Sequence, residues 1–214
     1  MKTLLKTRYV LLSAVAVFGL GWSSNLAFSQ EKGGEKKAEK PVAGPTPEQM
    51  KAWMESVTPG EPHKKLEAQA GNYTIKGRTW MDPKAPAMEM NGTAVIKMIV
   101  GGRYQALEFK GDSMGMPFEG TGLMGFDNLA KEYFSTWVDN MRTGIVYYRG
   151  KADDKGVVTL TCEVDDPLNP SVKCKCRQVM KITDKDHFTT ETWLKHVNDP
   201  AEFKAAEMSY ARKE

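Results

Sequence analysis

Trp137-x-Asp139 puts an indole and a carboxylate two residues apart in an alternating run. On a strand, positions i and i+2 share a face. If the indole enters a core, the carboxylate enters with it. A buried carboxylate demands a partner, and Arg103, Arg142 and Arg149 are the candidates. Two readings follow. One is a structural pair that pins strand register. The other is a polar anchor in an aromatic pocket, which is how small-molecule sites fix orientation.

Cys162, Cys174 and Cys176 are the only cysteines. A turn at Asp166–Pro170 brings their two strands together as a hairpin. Three arrangements are open: a cross-strand disulfide from Cys162 with one thiol left over, three buried thiols packing as small hydrophobes, or a soft-metal or redox site. Thirteen methionines, with the pairs Met88/Met90 and Met114/Met116, admit Cu(I) chemistry or an adaptable greasy lining. Gly111-Asp112-Ser113-Met114-Gly115 has the spacing of a nucleophile elbow. That motif needs a helix after it, and Met116-Pro117 with a glycine-rich strand follows instead; a hairpin turn is the expectation. His63, His187 and His196 show no helical metal spacing. His63 is expected to cap or pack in a short helix, and His187 to be solvated at a turn. The residues assign no catalytic group, no metal ligand set and no cofactor.

These groups need elements to hold them, and the chain of 214 residues has the length for one domain. Residues 1–29 read as a signal peptide. Lys2, Lys6 and Arg8 form the basic region, Tyr9–Trp22 the apolar one, and Ala27-Phe28-Ser29 the cleavage site. The protein is therefore expected outside the cytoplasm, periplasmic or extracellular. Residues 30–46 are a Lys/Glu/Gly/Pro linker too polar to offset its ordering entropy. The leader holds the whole formal charge of +3, which leaves a neutral remainder. Neutrality argues against nucleic-acid binding. No later run reaches the ~20 apolar residues of a membrane helix.

Residues 47–214 are expected to form one domain. Thr46-Pro47 with Gln49 reads as a capped helix start, and Met50, Trp53, Met54 and Val57 fall on one face. A second short helix over 62–70 turns His63, Leu66 and Ala70 inward. After Gly71 the period changes from 3.6 to 2. Strands are expected at Asn72–Met81, Glu89–Val100, Arg103–Lys110, Pro117–Phe126, Glu132–Asp139, Gly144–Gly150, Val157–Val164, Val172–Ile182, Phe188–Leu194 and Phe203–Ala211. Gly101-Gly102 suits a two-residue hairpin. Short links without intervening helices predict a mainly β fold, an antiparallel meander barrel of about ten strands with one or two N-terminal helices. Inward faces include Tyr73, Ile75, Thr79 and Met81; Met90, Ala94, Ile96 and Met98; and Phe118, Gly120, Gly122 and Met124.

Gly101-Gly102-Arg103-Tyr104, Met114–Asn128 (MGMPFEGTGLMGFDN), Tyr133-x-Ser135-Thr136-Trp137-Val138-Asp139 and Thr143-Gly144 resemble an uncharacterised bacterial family, the domain of unknown function numbered 1579. His63-Lys64-Lys65-Leu66 and Gly71-Asn72-Tyr73 fit its opening, with Tyr where Trp is usual. The resemblance implies a lipocalin-like barrel and imports no catalytic residues. Such a barrel either fills with side chains or holds one small ligand. The leading expectation is an exported barrel that binds a small, mostly apolar molecule, lined by Tyr73, Met98, Phe118, Met124 and Trp137 with Asp139 as the polar anchor. The alternatives are an enzyme on the same barrel using Asp139 or a histidine, a soft-metal or redox protein using the cysteines, and a structural or partner-binding module with a filled barrel.

Overall fold

Alternation along most of ten segments, each ended by a turn, produces ten strands. In the computed structural model, which describes residues 44–113, 115–166, 171–197 and 199–214, these are β1 (Gly71–Thr79), β2 (Met88–Ile99), β3 (Tyr104–Ser113), β4 (Met116–Asp127), β5 (Glu132–Asp139), β6 (Val146–Ala152), β7 (Val158–Asp165), β8 (Lys173–Ile182), β9 (His187–His196) and β10 (Phe203–Arg212). The leader, and the linker up to residue 43, lie outside the described residues. Each strand pairs antiparallel with its neighbour in sequence, and β1 closes on β10. Closure leaves no edge strand exposed.

The ends of the barrel differ. Two helices, α1 (Pro47–Val57) and α2 (Glu61–Glu67), precede β1. Helix α2 packs on β2, β3 and β4. It covers the end that holds the β2–β3 and β4–β5 connections. Its Leu66 side chain enters the interior among Tyr133, Val146, Tyr148 and Leu160. The Gln105 amide donates to Leu66 O at 3.0 Å, and the Tyr73 hydroxyl to Gln69 O at 2.8 Å. These bonds add to the turn bonds that close the C-terminus of the helix, Gln69 N–H to Leu66 O and Ala70 N–H to Glu67 O, and tie it to the barrel. The opposite end holds the β1–β2, β3–β4, β5–β6, β7–β8 and β9–β10 connections and carries no helix among the described residues.

Several expectations change. Gln69, rather than Ala70, is the third buried residue under α2, because its amide joins the Gln105 contact. Helix α1 has the expected capping box, with the Gln49 N–H donating to Thr46 Oγ1 at 3.2 Å and the Thr46 N–H to Gln49 Oε1 at 2.8 Å. Its apolar face is not buried, however: Met50, Trp53 and Met54 are 44–56% exposed. Among the described residues, the tethers of the helix lie at its C-terminal end. The Asn128 amide donates to the carbonyls of Ser56 and Thr58, and Arg103 to that of Val57. Met81 lies past the end of β1 and is exposed. The β2–β3 link takes four residues rather than two, with positive φ at Val100, Gly101 and Gly102. No helix among the described residues is long and apolar enough to cross a membrane.

Candidate functional site

The interior is packed as two clusters. One joins Tyr73, Ile75, Met90, Ala94, Ile96, Phe109, Phe188 and Tyr210. The other is built around Leu66, Tyr133, Tyr148 and Leu160. Trp137 and Met180 touch both. Ten strands enclose a wider bore than the eight that side chains just fill. A cavity of about 380 Å³ remains inside, with lining residues on every strand except β7.

Trp137 forms part of its wall, and the sequence shows how. Gly120 and Gly122 on β4 face Asp139 and Trp137 on β5. A side chain at Gly120 would run into the indole, and one at Gly122 into the Thr136 carbonyl with the indole close beside it. The ring lies across the groove they leave, and its Nε1 donates to Asp139 Oδ2 at 2.8 Å. The other Asp139 oxygen accepts the Met141 N–H at 2.9 Å. Arg142 Nε lies 3.3 Å from Oδ2; the carboxylate side chain is 4% exposed and the arginine 48%. Of the three candidate arginines, Arg142 is the partner. Arg103 serves α1, and Arg149 pairs with Glu132 on the outer wall. The carboxylate thus orients the indole, closes the start of the β5–β6 connection and neutralises a guanidinium at the cavity.

Phe118, Met124, Trp137 and Asp139 all border the cavity. Tyr73 and Met98 are not among its lining residues. Tyr73 is fully buried, edge-on to the stacked pair of Phe188 and Tyr210, with its hydroxyl committed to the Gln69 carbonyl below α2. Met98 packs in the cluster around Leu66. Alternation identifies the inward face but not the depth along the bore. Sequence reasoning missed Gln178, Thr190 and Thr192, which bring polar atoms to the far wall. Their one signal is period-2 placement on β8 and β9. A larger depression, about 690 Å³, lies over β1, β2 and β10. Charged side chains, including the Arg78–Glu207 pair, wall it, and it lacks the interior cavity's apolar lining.

The three cysteines are free thiols, and they do not form one cluster. Cys162 stands opposite Cys176 across β7–β8. The Tyr148 hydroxyl lies 3.5 Å from Cys176 Sγ. A hydrogen bond from Cys162, then those of Tyr148 and the charge of Arg142, hold the Cys176 thiol below its ordinary value against the effect of burial. The same bond to Cys176, together with burial, pushes Cys162 up. Cys174 turns instead to His196 on β9. Ser113 ends β3 and begins a strand–turn–strand link, so the helix that a nucleophile elbow requires is absent there. His63 caps α2, with its Nδ1 accepting the Gly60 N–H at 3.0 Å. Burial pushes its pKa down, only partly opposed by its bond to the Phe126 backbone. His187 is exposed beside Asp184.

Among solved structures, one barrel shares the fold. An S-type phycobiliprotein lyase from Guillardia theta is similar, with a TM-score of 0.52 at 9% identity, over 76% of this chain and 97% of that one. A de novo designed fluorescence-activating β-barrel matches with a TM-score of 0.38 at 13% identity, over 69% of this chain and 96% of that one. No curated protein sequence matches the chain. The family described as protein of unknown function DUF1579 matches residues 58–212. The motifs on β3, β4 and β5, the helix that closes one end and the ten-stranded barrel all fall within that stretch, and the chain belongs to the DUF1579 family.

Proposed function

We propose that the protein is exported and that its barrel binds one small, mostly apolar molecule, held by an aromatic wall and oriented by the Asp139–Arg142 pair. The observation that carries this reading is the cavity of about 380 Å³ beside that pair. Small-molecule sites span roughly 300–1,000 Å³ and combine apolar lining with a few placed polar groups. Methionines at 90, 124, 180 and 208 give the wall adaptable surface. Arg142, half exposed, suits a ligand with an anionic or carbonyl end. The basic and apolar segments of residues 1–29 support export. Charged residues such as Lys76, Glu108 and Lys110 on the outer positions suit a barrel surrounded by water rather than lipid. The likeness to the lyase concerns the fold and supplies no chemistry.

The test is native mass spectrometry of protein purified from its own exported fraction, compared with the denatured mass. A few hundred daltons lost on denaturation is the expected result, and the mass begins to identify the molecule. A parallel titration uses 1-anilinonaphthalene-8-sulfonate, an apolar fluorophore with an anionic end. Saturable one-to-one binding is expected, with a clear loss of affinity in Trp137→Ala whose circular dichroism is unchanged. Equal affinity in that variant removes the cavity as the site.

A further inference from the structure

Away from the cavity's ion pair, one more set of side chains converges. Cys174 stands directly opposite His196 in the β8–β9 register. Asp166 follows β7 at the β7–β8 connection, with its N–H on the Val172 carbonyl at 3.0 Å. Both elements end at the barrel rim opposite α2. Cys174 Sγ lies 3.0 Å from His196 Nδ1, and Asp166 Oδ2 lies 3.1 Å from the same nitrogen. One donor atom from each residue lies within 4.8 Å of the other two. We propose that Asp166, Cys174 and His196 form a binding site for a divalent transition-metal ion of the zinc type.

The geometry separates this reading from nucleophilic catalysis. In a Cys–His–carboxylate relay the imidazole uses one nitrogen for the thiol and the other for the carboxylate. Here sulfur and carboxylate both address Nδ1, so no relay runs through the ring. Three donors meeting around one point is the pattern of chelation. Tetrahedral zinc, with its usual bond lengths, sets neighbouring ligand atoms roughly 3.3–3.6 Å apart. The observed 3.0 and 3.1 Å spacings need only a small outward shift of side chains at a hairpin end.

The donor set selects the metal. One thiolate, one imidazole and one carboxylate are the three ligand types zinc accepts together. The single sulfur and the carboxylate make a poor Cu(I) site, and the sulfur makes a poor calcium or magnesium site. The surroundings favour a cation. Asp199 Oδ2 approaches the His196 N–H at 3.4 Å, so a second carboxylate stands nearby. Burial, then the charges of Asp166 and Asp199, push the Cys174 thiol up from its ordinary value. A bound cation reverses that balance, and the thiol proton leaves to solvent as the metal–sulfur bond forms. The His196 ring stacks on Phe203 at 6.1 Å and 12°, which fixes its orientation. Cys174 is buried, while the side chains of Asp166 and His196 are 14% and 37% exposed, so an ion has a path in. Three protein ligands leave a fourth position for water or another donor.

The probe is Co²⁺, added to chelator-treated, reduced protein. One cobalt per chain is expected, with a thiolate-to-cobalt charge-transfer band and visible bands of tetrahedral intensity, all bleached by Zn²⁺. Cys174→Ala should abolish the charge-transfer band. Asp166→Asn should weaken binding at least ~tenfold. His196→Phe, which keeps the ring stack, should weaken it at least as much. The double variant Cys162→Ala/Cys176→Ala should keep the band, with circular dichroism checking every fold. Absence of stoichiometric uptake by the unmodified protein overturns the proposal. So does a band that survives Cys174→Ala, or one that disappears in a folded Cys162→Ala/Cys176→Ala variant, since the sulfur ligand would then be the other pair.

Discussion

At the scale of single residues, the cavity wall depends on what is missing from β4. Gly120 and Gly122 leave the groove that the Trp137 indole occupies, and Asp139 holds the ring there. Gly120→Ala forces the indole off its site. Overpacking of this kind costs about 1–3 kcal/mol. Urea unfolding should show that loss, together with weaker fluorophore binding. Asp139→Ala leaves the indole N–H and the Arg142 charge without their acceptor, a loss of about 1–3 kcal/mol by the same assay. His63 sets a pH dependence. Its folded pKa lies below the ordinary value near 6.5 because it is buried. Below that pH the unfolded chain takes up the proton more readily than the folded one, so the stability His63 contributes is complete above about pH 6.5 and lost as the pH falls through it. Unfolding free energy measured from pH 7.5 to 5.5 should therefore decline on the acid side. The slope should be shallower in His63→Asn, even though that variant starts less stable.

At the scale of elements, the two helices have different duties. Helix α2 is the plug: Leu66 is almost fully buried. Leu66→Ala should cost about 2–5 kcal/mol, seen as a lower midpoint in denaturant. Helix α1 has no buried residue. Removing residues 44–57 should leave the barrel's melting temperature essentially unchanged in a calorimetric scan. Amphipathic spacing alone treats the two helices alike. Only the plug finds an apolar surface waiting for it, at the barrel end that β2, β3 and β4 present.

At the scale of the whole molecule, closure and bore size decide what the protein can hold. Ten strands close on themselves and still leave about 380 Å³ inside. A molecule that binds the folded cavity and not the unfolded chain must stabilise the fold. With the fluorophore at a hundred times its dissociation constant, the gain should be about 2.7 kcal/mol. That increment should shrink in Trp137→Ala if the cavity is the site, and stay the same if binding is elsewhere.

Local chemistry written along the chain is enough to determine the ten strands, the capped start of α1, the inward face of most strands and the barrel class. Alternation, turn residues and capping residues act over a few positions, so they can be read there. The pairing of Asp139 with an arginine was legible as a need, because a carboxylate beside an inward Trp cannot stay unpartnered. Which arginine answers it was decided by the β5–β6 connection, which brings Arg142 back over the strand end. Depth along the bore was not legible. Tyr73 and Met98 alternate as Trp137 does, yet α2 covers their end of the barrel and fills it. The split of the cysteines was also a tertiary outcome. The period places Cys174 and Cys176 on one face, but only the β7–β8 and β8–β9 registers set Cys176 against Cys162 and Cys174 against His196. Contacts between strands depend on register and closure, and these follow from burying all ten inner faces at once rather than from any one segment.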